Sequence, residues 1–259
     1  MTTPPSSRRR ILGTSLKLYF DLPKTLDFVS NLRSIAPLAS SLNIDLFIIP
    51  DLTTLHPSAT LLQSTPILLG AQDTFWQDSG PYTGEVSPLT LSQLGVKIVE
   101  IGHAERRRIF HETDEQVGLK AAAVVRNGMI PLVCIGERTP PGQIASQAVG
   151  QAVSECRTQI NAMLAAVPDE AEVVLAYEPV WAIGAKEPAA ADHVTAVVKQ
   201  LRALFEGRKG GVRILYGGSA GPGTFEGLKW EDGVDGLFLG RFAHDIKNIE
   251  TVLREMGKD

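Results

Sequence analysis

The chain has 259 residues, a formal net charge of −4, 44% hydrophobic and 21% charged residues. Such a composition excludes an intrinsically disordered chain, and the slight acidic excess argues against a nucleic-acid partner. No apolar run is long enough to span a bilayer, and two cysteines, Cys134 and Cys156, cannot make a disulfide framework. They suit a reducing compartment, so a cytoplasmic protein without membrane contact is expected.

The first ten residues, MTTPPSSRRR, hold no apolar segment of the kind a secretory signal needs, and they read as a disordered tail (1–10). From Ile11 onward, short β-rich runs alternate with stretches of helical composition. Strands are predicted at 11–18, 44–49, 67–71, 97–101, 129–135, 172–177, 212–216 and 235–239. Several are nearly continuous apolar runs, as strands buried on both faces of a parallel sheet require. Between them, 189–205 places Val194, Val197, Val198, Leu201, Leu204 and Phe205 on one helical stripe. Residues 140–164 read similarly, with Pro140 and Pro141 starting the helix.

Strand alternating with helix implies βαβ units. Eight such units without a composition break predict an α/β fold, a single-domain (β/α)8 barrel over 11–259. An open doubly wound sheet is the rival, but it usually needs fewer strands. In a barrel, the site lies at the carboxyl ends of the strands.

Lys17 follows the first strand, where its ammonium can enter the barrel mouth or merely edge it. GHAERR (102–107) follows the fourth. His103 there can polarise a carbonyl or simply hold the backbone; Glu105 suits a helix N-terminus; Arg106, Arg107 and Arg108 read mostly as a solvated face. AYEPVWAIG (176–184) follows the sixth. It sets Glu178 at the end of a buried strand beneath an unusually apolar loop. A lid of that kind desolvates a carboxylate and raises its basicity, as removal of a carbon-bound proton demands; a packed loop with a capping Glu is the plainer reading. YGGSAGPG (216–223) and Gly240-Arg241 follow the seventh and eighth strands. Glycines there let backbone N–H groups approach an anion, although the run is not a Walker loop. No metal set or cofactor motif is visible: His111-Glu112 lacks a second His, and His56, His193 and His244 read as surface residues. Cys134 reads as core.

Together, Lys17, GAQD (70–73), PYTGEVS (81–87), GHAERR, CIGE (134–137), AYEPVWAIG and YGGS resemble the triosephosphate isomerase family over residues 11–256. The resemblance implies a TIM barrel and an aldose–ketose isomerase of a small sugar phosphate, working through an enediolate and without cofactor or metal. It makes Glu178 the base, His103 the neutral electrophile and Lys17 the group stabilising the enediolate and phosphate. Residues 179–189 become the closing lid. Ser15, Gly184, Gly217, Gly218, Ser219, Gly240 and Arg241 become substrate- and phosphate-binding positions. Thr83 and Glu85, in the long third loop, become contacts of a homodimer whose site is shaped across the interface.

The departures bear on the substrate. Ser15 and Leu16 stand where the family usually has Asn and Trp, Ala104 replaces a Ser, and the lid ends on Gly184-Ala185-Lys186-Glu187-Pro188. Gly240-Arg241 replaces a Gly pair. The triose interconversion of glycolysis and gluconeogenesis is the first reading. The alternative is a subgroup acting on erythrulose phosphate, whose motifs resemble G-T-S-x-K and G-R; Ser15 leaves room for an extra CH(OH). A non-catalytic sugar-phosphate binder is the reading of another class. Phosphate-binding barrels of indole or histidine biosynthesis lack the AYEPVWAIG lid.

Overall fold

The computed structural model describes residues 8–228 and 233–258. The residues 1–7 of the expected tail lie outside that range, as does Asp259. Eight parallel strands close on themselves in sequence order: β1 Arg10–Ser15, β2 Ile44–Ile49, β3 Leu68–Ala71, β4 Ile98–Ile101, β5 Ile130–Ile135, β6 Val173–Tyr177, β7 Val212–Tyr216 and β8 Gly236–Leu239. β1 pairs with both β2 and β8, which closes the barrel. The boundary expected at Ile11 falls inside β1, and Arg8 and Arg9 already pair with Asp235 and Asp45.

Strand alternation sorts the side chains into two cores. Ile11, Phe47, Ile49, Ile98, Leu132, Cys134, Val174, Ala176, Leu215 and Phe238 fill the barrel interior. Their neighbours in sequence, among them Leu12, Ile48, Val99, Val133, Leu175 and Ile214, pack outward in the larger cluster beneath the helices. Gly13 makes the packing possible: a Cβ there would lie 2.4 Å from the Phe47 ring. At the amino end of the barrel, Arg213 closes the interior with ion pairs to Asp45 and Glu172, each 2.6 Å.

β1 stops at Ser15 rather than Leu18. Leu16 still donates its N–H to the Ile49 carbonyl, but Lys17 adopts φ +47° and turns the chain out of the sheet. The helix expected to begin at Pro140 begins instead at Ala145 and runs to Ala166. A residue preceding proline is disfavoured in helical conformation, and Gly142 adds backbone freedom, so the chain enters the helix only after Ile144. The helix Ala191–Ala203 buries Val194, Val197, Val198 and Leu201 as its stripe predicts. Among the described residues, no helix is long and apolar enough to cross a membrane.

Candidate active site

A cavity of about 580 Å³ opens at the carboxyl ends of the strands. Its wall contains Ser15, Lys17, His103, Glu178, Gly184, Gly217, Ser219, Gly240 and Arg241. Gly218 is not in the wall; a Cβ on it would point at the Tyr216 hydroxyl, 2.6 Å away, behind the cavity. Thr83 and Glu85 lie exposed on the loop after β3 and do not reach it.

His103 is the residue before helix Ala104–Ile109, and its Nδ1 accepts the Glu105 N–H at 3.1 Å. That bond leaves the ring proton on Nε2, which lies 3.4 Å from Glu178 Oε2. Burial, with the positive charge of Lys17, pushes the imidazole down to about 4, so it is neutral at ordinary pH. Glu178 is 6% exposed. Burial first, then the nearby Glu100 carboxyl, push it up to about 8 against the pull of Lys17. The Cys134 thiol lies near the same carboxyl; buried, it is itself held well above the usual thiol range. Gly217 leaves the space Glu178 occupies, since a Cβ there would lie 2.5 Å from its Oε1.

Lys17 reaches back over the cavity to Glu105 Oε1 at 2.7 Å. Burial opposes its charge, but Glu105, Glu178 and Glu100 outweigh that and hold the ammonium above its ordinary range. Its left-handed backbone is fixed from outside the turn, where Gln72 Nε2 donates to the Lys17 carbonyl at 2.9 Å. A strained conformation held by its surroundings is characteristic of a positioned group.

The loop 179–189 is tied to the barrel beside the cavity. The Ser219 hydroxyl donates to the Ala182 and Ala185 carbonyls at 2.9 and 3.0 Å, and the Ala189 N–H donates to the Tyr216 hydroxyl at 2.7 Å. At its start, Trp181 Nε1 donates to Glu137 Oε1 at 2.9 Å. Ile183 and Phe238 add apolar wall near Glu178. The site thus combines a buried carboxyl of raised basicity, a neutral imidazole 3.4 Å from it, a cation and a largely apolar loop beside them. That is equipment for moving a proton between adjacent carbons. Among the described residues, no group of three His, Cys, Asp or Glu is placed to hold a metal ion.

Comparison with known proteins agrees with this geometry. Residues 10–256 match the triosephosphate isomerase family. The chain belongs to that family. It is also 44% identical over 258 residues to the L-erythrulose-1-phosphate isomerase of Pectobacterium atrosepticum, covering 96% of each chain. It is 40% identical to the protein of the same name in Mesorhizobium japonicum, covering 93% of this chain and 95% of the relative. The Rhizobium etli protein, again of that name, is 39% identical, with 93% and 90% covered.

Several residues of this triosephosphate isomerase family site escape a reading of motifs. Glu100, in the middle of β4, turns into the barrel beside Ser15; its signal is a charge interrupting the apolar run KIVEI. His193 is not a surface residue: with Tyr177 and Trp181 it packs around the buried Glu137, its Nε2 3.3 Å from Oε1. His244 is half-buried between the Tyr19 and Phe20 rings. Nor are the three arginines a solvated face. Arg106 pairs with Asp73 and Glu112, and Arg107 is nearly enclosed, bonded to the Gly102 carbonyl and to Asp114; only Arg108 is exposed.

Proposed function

We propose that this protein isomerises a four-carbon ketose phosphate, L-erythrulose 1-phosphate, by the enediolate route, rather than interconverting triose phosphates. What carries the choice of substrate is the likeness, over nearly the whole of both chains, to proteins named for that activity. The small Ser15 in the cavity floor supports it, leaving volume beside His103 for one more carbon.

The steps follow from the residues in place. Glu178 takes the proton from C3. The His103 Nε2–H polarises the C2 carbonyl, and Lys17 balances the negative charge that develops on the enediolate oxygens. Glu178, now protonated, returns the proton to C2, while the C3 hydroxyl proton passes to O2 by way of the imidazole. The carbonyl has then moved from C2 to C3, and the product, numbered from its other end, is erythrulose 4-phosphate. No electron acceptor or added atom is required. The phosphate sits among the backbone of Ser219 and Ala220, Gly240 and the Arg241 side chain, all in the cavity wall; the Gly221 N–H is already given to Thr224 Oγ1 at 3.1 Å.

The same reading makes the protein a homodimer, with Thr83 and Glu85 on the third loop entering the partner. Exposed Tyr82, next to Thr83 in that loop, and exposed Leu18 and Tyr19 after β1 are apolar surface that a partner would cover. Sedimentation of the purified protein tests this; a monomer at micromolar concentration overturns it.

The experiment that tests the substrate is kcat/KM for L-erythrulose 1-phosphate against glyceraldehyde 3-phosphate on one preparation. Preference for the tetrulose supports the reading. Preference for the triose returns the protein to the glycolytic reaction, and turnover of neither makes it a binder.

A further inference from the structure

Glu100 has no part in the proton transfers above, yet it lies directly beneath them. On β4 its side chain turns into a barrel interior otherwise built there from Ile98, Leu132 and Cys134. It is 3% exposed. Strand alternation turns Ser15 on β1 into the same interior, close enough to Glu100 to draw its carboxyl down, and Glu100 Oε2 has no hydrogen-bond partner among the described residues. A carboxyl in such surroundings is costly to bury, whereas leucine or isoleucine would pack there without cost. A residue that breaks the pattern of its own core at a known site is a candidate for function. Burial pushes this carboxyl up to about 7 despite Ser15 and Lys17, so near neutrality it is only partly charged.

Ser15 links Glu100 to the cavity, since it alone of the two forms part of the wall. A serine hydroxyl has one donor and two acceptor lone pairs. When Glu100 is ionised it can only accept, and a donor given to it leaves Ser15 presenting acceptors to whatever lies above it. A hydroxyl on the substrate meets them; a bare hydrogen does not.

We propose that Glu100 is a positioning residue that sets substrate specificity: its carboxyl fixes the Ser15 hydroxyl in the cavity wall, and Ser15 accepts a hydrogen bond from the hydroxymethyl group that a four-carbon substrate carries on the carbon giving up its proton, where a triose phosphate carries only hydrogen. The inference rests on the four-carbon reading for the identity of that group.

The test is a double-substitution cycle read on selectivity, the ratio of kcat/KM for L-erythrulose 1-phosphate to that for glyceraldehyde 3-phosphate. Ser15→Ala and Glu100→Leu are each expected to lower the ratio about tenfold, the worth of one hydrogen bond, and the double variant no further. Glu100→Gln, whose amide oxygen still accepts from Ser15, retains the ratio within about threefold. Glu100→Leu replaces a buried carboxyl by an apolar side chain, so its melting temperature should not fall, and lost selectivity is then not lost structure. An unchanged ratio in Glu100→Leu overturns the proposal, as do losses that multiply in the double variant. A wild type that prefers the triose overturns the substrate reading instead, and the coupling between the two residues is still read from the cycle.

Discussion

His103 presents its Nε2 to Glu178 Oε2 at 3.4 Å because its Nδ1 is already committed to the Glu105 N–H. One backbone hydrogen bond therefore fixes the tautomer, and burial keeps the ring neutral. The pair forms a base and a donor whose proton affinities lie far apart, about 8 for Glu178 and about 4 for His103. As the proposed base, Glu178 works only when deprotonated. The acid limb of kcat/KM should therefore have its midpoint near 8 and level off about one pH unit above it, well beyond the ordinary carboxylate range. The substrate phosphate contributes a separate limb near its second ionisation, at about 6. A profile flat above about pH 6.5 would mean that Glu178 is not held up.

Replacing that base should be severe for rate and mild for structure. Glu178→Gln is expected to lower kcat by about 10³, within the usual worth of a positioned general base. Stability should respond in the opposite direction. A carboxyl raised from 4.5 to about 8 on folding binds more protons folded than unfolded across that interval, so wild-type stability falls as pH rises through it. Glu178→Gln removes this contribution, and its stability should vary less with pH and exceed that of the wild type above pH 8. Chemical denaturation between pH 5 and 9 checks both slopes.

The barrel was legible because its strands are continuous apolar runs, and Glu178 and His103 were legible because each stands just beyond such a run. Lys17 was found, but not its left-handed turn, since nothing in GTSLKL marks where the sheet ends. Glu100 was hidden by alternation: a Glu between Val99 and Ile101 looks like the exposed position of a half-buried strand, whereas both faces of β4 are buried. Gly218, expected at the phosphate, is not in the cavity wall, and a Cβ on it would meet the Tyr216 hydroxyl at 2.6 Å. The ion pairs that Arg106 and Lys120 make with Asp73 join segments far apart in sequence, so no local pattern could announce them.

Lys120 is the clearest case. Buried on helix Asp114–Arg126, it bonds Asp73 at 2.8 Å and also Glu112, while Arg106 reaches Asp73 from the other side. Removing the ammonium leaves Glu112 and Asp73 buried with one cation between them. Lys120→Met should therefore destabilise the fold by about 3–5 kcal/mol, the usual cost of breaking a buried pair from one side. A urea midpoint within error of the wild type would show that water or rearrangement satisfies the two acids.

The lid is held by few groups, so its closure can be weakened without touching the proton-transfer residues. Tyr216→Phe removes the acceptor for the Ala189 N–H, and Ser219→Ala removes both bonds to the lid carbonyls. Each should lower kcat/KM about tenfold, one hydrogen bond's worth of closed state. A looser lid also admits water and lets the enediolate expel its phosphate. Inorganic phosphate released per turnover should therefore rise in both variants. Slower turnover with no added release would place these bonds in folding the loop rather than in sealing it.

Arg241 stands in the cavity wall with its side chain exposed and no ion-pair partner among the described residues. An unpaired guanidinium at the mouth attracts a phosphate dianion, and does so equally for substrate and transition state, because the phosphate does not react. Arg241→Gly should then raise KM about tenfold and leave kcat nearly unchanged. The attraction is screened by salt, so the wild-type KM should climb between low and physiological ionic strength more steeply than that of the variant. Steady-state kinetics at the two ionic strengths check both statements. If instead kcat falls with KM constant, Arg241 acts on the reacting end of the substrate, and the phosphate must be held by the backbone of Ser219 and Ala220 and by Gly240.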